Sequence, residues 1–356
     1  MKKLILAALA IAAMAACTKS NVQFDQPGEI AFQPVTQKAT KAAVTGTAYP
    51  TASAYNFNVW AWWAAEEKGT SDASTFNTVY IKDQPFEYRD ASTLWGGSGQ
   101  SYYWPTTGSL FFAGYSPASI QGSDDNSDDC KVSYDKNNMK LTVENYQQSI
   151  DISNTVDFMW FHLTDQSYDR TDDFVPVKFH HALSWLTFRV NLKDSATPQL
   201  WKVKSVKLRS IETKANFNAT RTTTADVQGT ALWTNHSNTE DITVFSTDVA
   251  DRHLVTYVDT PYAVGASDDS VLENTPNGVL VIPQKCDLAR AQLVIEFEQK
   301  APSEEWVPQT KFLSLGSEWR PGEHYIYTIT FGAEEILIAP EVVDWEEVND
   351  LAVPVK

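Results

Sequence analysis

Leu186-Thr187-Phe188-Arg189-Val190-Asn191-Leu192 alternates apolar and polar residues without a break. Further on, Tyr325-Ile326-Tyr327-Thr328-Ile329-Thr330-Phe331 sets two Tyr, an Ile and a Phe on one face and Thr on the other. Successive side chains of a strand point to opposite faces, so a period of two is the mark of a strand with one face in a core. Residues 203–208, 278–282 and 292–297 are further apolar segments of strand length. Turn-forming clusters separate such segments: Gly96-Gly97-Ser98-Gly99, residues 122–129, 194–198 and 265–269, and Arg320-Pro321-Gly322. Few stretches keep a helical period over three turns. Many short strands with this punctuation predict an all-β chain of antiparallel β-sandwiches.

Composition sets the scale. The 356 residues are 43% apolar and include 12 Trp, 14 Tyr and 17 Phe, aromatics that suit strands better than helices. At about 150 residues per domain the length predicts two domains. The polar, proline-ended break Asp194-Ser195-Ala196-Thr197-Pro198 divides them into residues 46–195 and 196–356. Residues 17–45, low in aromatics, form a separate segment. The formal charge is −17; removing residues 1–16 takes away two lysines and leaves −19. A chain this acidic is a poor partner for nucleic acid, whose phosphates are bound by clusters of Lys and Arg.

The first residues read as an export signal. Lys2 and Lys3 precede an unbroken apolar run over residues 4–13, and Met14-Ala15-Ala16 supplies small residues before Cys17. The run is shorter than the roughly 20 residues a spanning helix needs. Residues 1–16 are therefore expected to be a lipoprotein signal peptide, with Cys17 acylated and several chains holding the protein to the outer membrane. An ordinary signal peptide would be cut at the same place. Of the other cysteines, Cys130 and Cys286 could pair in an oxidising compartment. They lie far apart in the sequence, and both states stay open.

Several phrases, in order over nearly the whole mature chain, resemble the fimbrillin family, the Mfa-like and FimA-like subunits of type V pili. They are Glu29-Ile30-Ala31-Phe32-Gln33-Pro34-Val35 with Lys38-Ala39-Thr40-Lys41-Ala42, then Tyr103-Trp104-Pro105 leading into Leu110-Phe111-Phe112-Ala113-Gly114-Tyr115-Ser116-Pro117. Asp157-Phe158-Met159 follows, then Val177-Lys178-Phe179-His180-His181-Ala182-Leu183-Ser184-Trp185-Leu186, Val281-Ile282-Pro283-Gln284 and Val343-Asp344-Trp345. The resemblance implies two tandem transthyretin-like β-sandwich domains in a lipoprotein precursor. It further implies polymerisation after a processing protease removes the amino-terminal strand, a neighbour's strand then filling the groove. The implied partners are other fimbrial subunits, in a homopolymer or with tip and anchor subunits. Tip and anchor proteins share the fold, so the place in the fibre stays open.

The residues can be read physically beside that resemblance. Ile30 and Phe32 alternate with Ala31 and Gln33, as a strand seated in a hydrophobic groove should. A permanent first strand would show the same alternation. Cleavage is expected after Lys38 or Lys41, among small residues, although the best-known processing follows Arg and none precedes Arg89. At the other end residues 334–347 are a candidate donor strand carrying Ile336, Ile338, Val343 and Trp345. They read as two short strands parted by Pro340, and edge strands of their own domain are the alternative.

Catalytic patterns were sought as well. No Walker loop, dinucleotide fingerprint, paired CxxC or HExxH occurs, and no enzyme, cofactor or metal site is predicted. His180-His181 in a strand would point to opposite faces and cannot share one metal ion. Asp124-Asp125-Asn126-Ser127-Asp128-Asp129 lacks the glycine and the Glu of an EF-hand loop. Trp60-Ala61-Trp62-Trp63 sets Trp60 and Trp62 on one face, for core packing or for stacking on a sugar ring. A glycan-binding surface lipoprotein is accordingly the alternative function, with tryptophan exposure as the discriminating observation.

Overall fold

The computed structural model describes residues 28–35, 49–66, 74–122, 128–168, 174–194, 198–220, 230–246, 254–255, 262–263, 278–286, 291–316, 318–333 and 335–344. In chain order its strands begin with β1 (Phe32–Val35), β2 (Phe57–Ala64), β3 (Thr78–Arg89), β4 (Leu94–Gly97) and β5 (Ser109–Ser116). Next come β6 (Lys131–Asp135), β7 (Lys140–Gln147), β8 (Met159–Gln166), β9 (Val175–Lys178) and β10 (His180–His181). Then follow β11 (Ser184–Leu192), β12 (Leu200–Thr220), β13 (Thr230–Ser246), β14 (Tyr262–Ala263) and β15 (Gly278–Val281). The last are β16 (Gln292–Lys300), β17 (Val307–Ser314), β18 (Glu323–Phe331) and β19 (Ile336–Asp344). Helical structure among the described residues is confined to three single turns of 3-10 helix. The protein is all-β.

Three sheets carry these strands. The first runs β10-β8-β5-β2-β3-β4-β1-β9, and the second runs β14-β11-β18-β19 with β15 also on β11. The third runs β17-β16-β12-β7-β6, with β13 also on β12. Alternate side chains of β2, β5 and β8 feed two cores. Phe57, Val59, Phe112 and Phe161 enter one that is closed from the far side by β1, β4 and β9. Trp60, Trp62, Phe111, Tyr115 and Trp160 enter a second, against Leu141, Val143 and Phe217 of the third sheet. A third core packs Leu186, Phe188, Tyr325, Tyr327 and Ile329 of the second sheet against Val206, Leu208, Ile295 and Phe297.

Strand β12 is why the third sheet serves two of these cores. Only residues 203–208 announce themselves as a strand, yet it runs for 21 residues. Its buried apolar set is Trp201 and Val203, then Val206 and Leu208, then Ile211, Ala215, Phe217 and Ala219. The parity changes where the pairing register shifts, near Val203/Ser205 and between Leu208 and Ile211. An extra residue at each shift changes the parity, while the apolar side chains on either side of it stay in one core. At the second shift Ser210 has φ 59°, and its N–H donates to Asp241 Oδ1 at 2.9 Å. Trp201, Val203, Val206, Leu208 and Ile211 serve the third core, and Ala215, Phe217 and Ala219 serve the second.

Two findings depart from a purely antiparallel, half-buried scheme. Strand β11 pairs with β18 in parallel over eight residues, and β1 pairs with β9 in parallel. Direction of pairing depends on the connection, which periodicity does not report. Strand β11 is also buried on both faces from Ser184 to Phe188, because its reverse face meets the second core through Trp185. The buried Thr187 hydroxyl is satisfied by His324 Nε2 at 3.0 Å, and the His324 ring stacks on Trp185 with centroids 3.6 Å apart.

That histidine predicts an acid sensitivity. Burial, helped by the nearby Arg189 charge, holds His324 down to about 3, whereas an unfolded histidine titrates near 6.5. Between those values only the unfolded chain takes up the proton. Stability is full above pH 6.5 and falls as the pH drops, by about 1.4 kcal/mol per unit from this group. Urea unfolding at pH 6.5 and pH 5 should therefore differ by about 2 kcal/mol more in the native chain than in His324→Gln. Equal pH dependence in the two would show that His324 titrates normally.

Cys130 and Cys286 are both free thiols, each pushed up to about 12, chiefly by burial. Nine of the twelve tryptophans, Trp60 and Trp62 among them, are buried. Trp60 and Trp62 face Tyr134 at ring distances of 6.0 and 5.1 Å. They are core residues and form no exposed stacking platform.

Candidate functional site

Strand β1 is short, lies one place from the edge of its sheet, and enters the core side-on. Ile30 and Phe32 are completely buried and Pro34 is buried with them, while Gln33 faces solvent. The alternation expected for residues 30–33 is present. Phe32 sits in a socket of four rings, with centroids at 5.0 Å from Phe86, 5.3 Å from Phe112, 5.9 Å from Phe57 and 6.3 Å from Phe161. The first three contacts are edge-to-face, a geometry that adds to simple burial. Burying Ile30 and Phe32 contributes roughly 3–6 kcal/mol before entropy is counted.

The backbone of this segment is paired on both sides. Its pairing with β4 is recorded at one position, Phe32 opposite Trp95. Ile30 N–H donates to Tyr102 O at 2.7 Å, and Trp104 N–H donates to Gly28 O at 3.0 Å. On the other side four residues of β1 run parallel to β9 in the register Phe32–Val175, Gln33–Pro176, Pro34–Val177 and Val35–Lys178. Val175 N–H donates to Ala31 O at 2.8 Å, so residues 31, 33 and 35 face β9, and Pro34 and Pro176 stand where that ladder needs no N–H.

A charge fixes the entry of the strand. Glu29 Oε1 accepts from Arg89 Nη1 at 2.6 Å, each side chain about one-third exposed. Arg89 is itself positioned, because its Nη2 donates to Gly97 O at 2.7 Å and its guanidinium lies over Gly96. A Cβ at residue 96 would stand 2.3 Å from Arg89 Cζ, so a side chain there would displace the guanidinium. The socket phenylalanines and Arg89 were not singled out for this role from sequence. The visible signal is the alternation of Phe57 with Val59 and of Leu110 with Phe112, which marks a face without naming what lies across it.

At the other end of the chain, residues 336–344 form one edge strand, not two short ones parted by Pro340. Strand β19 pairs antiparallel with β18 from Phe331–Ile336 to Glu323–Asp344. A proline is tolerated on an edge strand because one side of it carries no ladder. Ile336 is buried and Ile338 half-buried against the third core, whereas Leu337, Ala339, Pro340, Glu341 and Val342 are exposed. Val343 lies opposite His324 in the register. Cys17, Lys38, Lys41 and Trp345 lie outside the described residues.

The two histidines have separate structural surroundings. His181 Nδ1 lies 2.7 Å from Asp157 Oδ2, both side chains essentially buried. His180 packs on Trp160 at 5.1 Å, and burial holds it down to about 4. Among the described residues no three His, Cys, Asp or Glu side chains gather as a metal would require.

A family model described as fimbrillin-like matches residues 40–345. Among solved structures, a fimbrial protein from Bacteroides vulgatus ATCC 8482 is 15% identical with a TM-score of 0.52. That alignment covers 88% of this chain and 99% of the other, and it indicates a common fold. A candidate cell adhesion protein from Bacteroides uniformis ATCC 8492 is 14% identical over 92% of this chain and all of its own, with a TM-score of 0.45. A fimbrial assembly protein from Parabacteroides distasonis ATCC 8503 is 10% identical over 88% of this chain and 98% of its own, with a TM-score of 0.38. No curated protein matches the sequence.

Proposed function

This chain belongs to the fimbrillin-like family, and on that premise we propose that it is a structural subunit of a surface fimbria, exported as a lipoprotein and joined to its neighbours by strand exchange. A member of such a family is a cell-surface structural protein and not an enzyme. The observation that carries the finer reading is the seating of β1. Ile30 and Phe32 are wholly buried, Phe32 in a preformed aromatic socket, and the strand laid over β1 is the four-residue edge strand β9. A short segment seated in this way can be replaced by another extended chain that presents apolar residues at the same period. Removing it opens a hydrophobic cleft and leaves backbone groups of β4 and β9 unpaired, a surface that recruits a strand. Burial of nine tryptophans, Trp60 and Trp62 among them, counts against the glycan-binding alternative.

Anchoring through Cys17 and processing after Lys38 or Lys41 belong to this proposal. Limited digestion of the precursor, expressed from Thr18, with a Lys-specific protease tests both cut and consequence. Mass spectrometry should show loss of the residues up to Lys38 or Lys41, and electron microscopy should then show filaments. A clean cut that leaves monomers would count against strand exchange by this chain.

A further inference from the structure

Glu29-Ile30-Ala31-Phe32-Gln33-Pro34 and Glu335-Ile336-Leu337-Ile338-Ala339-Pro340 share one pattern: an acid, Ile, any residue, a large apolar residue, any residue, and Pro. The first copy is the strand in the groove; the second opens the strand at the far end of the chain. We propose that β19 of a second copy of this chain occupies the groove in the register set by that repeat, with Glu335 on Arg89 and Glu341 on Lys178. The inference rests on strand exchange as proposed above and adds its register, its direction and the charges that select the incoming strand.

Each position of the repeat has a matching environment. Ile336 would take the place of Ile30, Ile338 would enter the ring socket of Phe32, and Pro340 would replace Pro34 at a point where the ladder already does without an N–H. Glu335 would replace Glu29 on Arg89, which stays aimed at that spot by Gly97 O when Glu29 departs. In its own chain Glu335 pairs with Lys193 at 3.0 Å, with both side chains half-exposed. A cavity of about 420 Å³ bordered by Glu29, Arg89, Ser92 and Tyr168 leaves room beside the resident strand at this end.

The repeat also makes the exchange favourable in direction. Carried one residue further, the register that sets Val35 opposite Lys178 sets Glu341 there, adding a charge pair that β1 lacks. Ile338 and Pro340, half-buried and exposed at home, would both become buried, as Phe32 and Pro34 are. The order of the motif is the same in both copies, so the incoming strand would run parallel to β9 and antiparallel to β4. The opposite direction would put Pro340 at the position of Ile30 and lose the N–H that donates to Tyr102 O.

Disulfide trapping reads the register directly. In processed full-length chains whose own cysteines are changed to serine, Ala339→Cys and Pro176→Cys should form an intersubunit disulfide, because their counterparts Gln33 and Pro176 are opposed and outward-facing. Glu341→Cys with Pro176→Cys, two residues out of register, should not link. Independently, Lys178→Glu should slow assembly about fivefold while leaving the precursor intact, and Glu341→Lys in the same chain should restore it. Polymer that forms without the 339–176 link, or with equal linking at 341, would overturn the register while leaving strand exchange standing. If the processed chains neither polymerise nor link, strand exchange itself fails and the register falls with it.

Discussion

Phe32→Ala should lower the stability of the first core by about 3–5 kcal/mol, the usual cost of deleting a buried phenylalanine. The lost ring leaves Phe57, Phe86, Phe112 and Phe161 facing a void. These four come from β2, β3, β5 and β8, which are tied to one another by the sheet ladder. They have little freedom to collapse into the space, so the cost belongs at the upper end of the range. The loss should be local in character. Amides of residues 28–35 should exchange faster, while the third core, which shares no residue with this one, should keep its protection. Hydrogen exchange on the precursor separates these outcomes. Uniform loss of protection across all three cores would show that β1 is integral to one cooperative unit and ill-suited to removal. A loss under about 1 kcal/mol would show that the socket closes without its ring. Phe32→Ile, which supplies the side chain that β19 carries at the corresponding position, should cost less than Phe32→Ala because most of the volume is kept.

Much of this was legible before any coordinates, and the reason differs between elements. The alternation at residues 186–192 and 325–331 predicted strands, and both are core strands of one sheet. Tyr325, Tyr327, Ile329 and Phe331 do share one core. Ile30 and Phe32 stood out because a short strand with one buried face leaves a period of two in the sequence. What periodicity cannot carry is partnership. Nothing in residues 29–35 names Val175 or Trp95 as neighbours, since those pairings span more than 60 and 140 residues and depend on how the intervening strands close. The full extent of β12 was hidden for a local reason: its bulges reverse the alternation twice, so a single-phase pattern breaks where the strand does not. Pro340 was misleading for a related one. Proline interrupts an interior strand, but β19 lies at an edge, and edge position is a property of the sheet and not of the residues around the proline. Arg89 was visible only as the first arginine of the chain; its pairing with Glu29 comes from the β3–β4 turn and the space over Gly96.

Removing either partner of the His181–Asp157 pair should cost more than any other polar substitution in the first sheet. The two groups meet at 2.7 Å with side chains 2% and 0% exposed. Taking away one partner of a buried pair costs about 3–5 kcal/mol, so His181→Ala should fall in that range. Replacing both, as in His181→Leu with Asp157→Leu, should cost less than the sum of the two single changes, because neither half of the contact is left behind. A double-mutant cycle in urea measures the difference, and additive single effects would show that the contact contributes nothing of its own. The position of the pair ties it to the groove. His181 ends the segment that begins with β9, and β10 pairs with β8 at Met159 beside Asp157. Between them Phe179 packs on Tyr49, Phe57 and Phe161 at 5.0 to 5.4 Å. The pair thus pins the far end of the strand against which β1 is laid. Releasing it should loosen β9, and with it the parallel register that β1 uses. His181→Ala should accordingly raise exchange at residues 175–178 and at 32–35 together, well before the strands of the second sheet respond. Were β1 to keep its protection while β9 lost it, the groove wall and the strand within it would be independent, and the parallel pairing would count for little in holding the precursor closed.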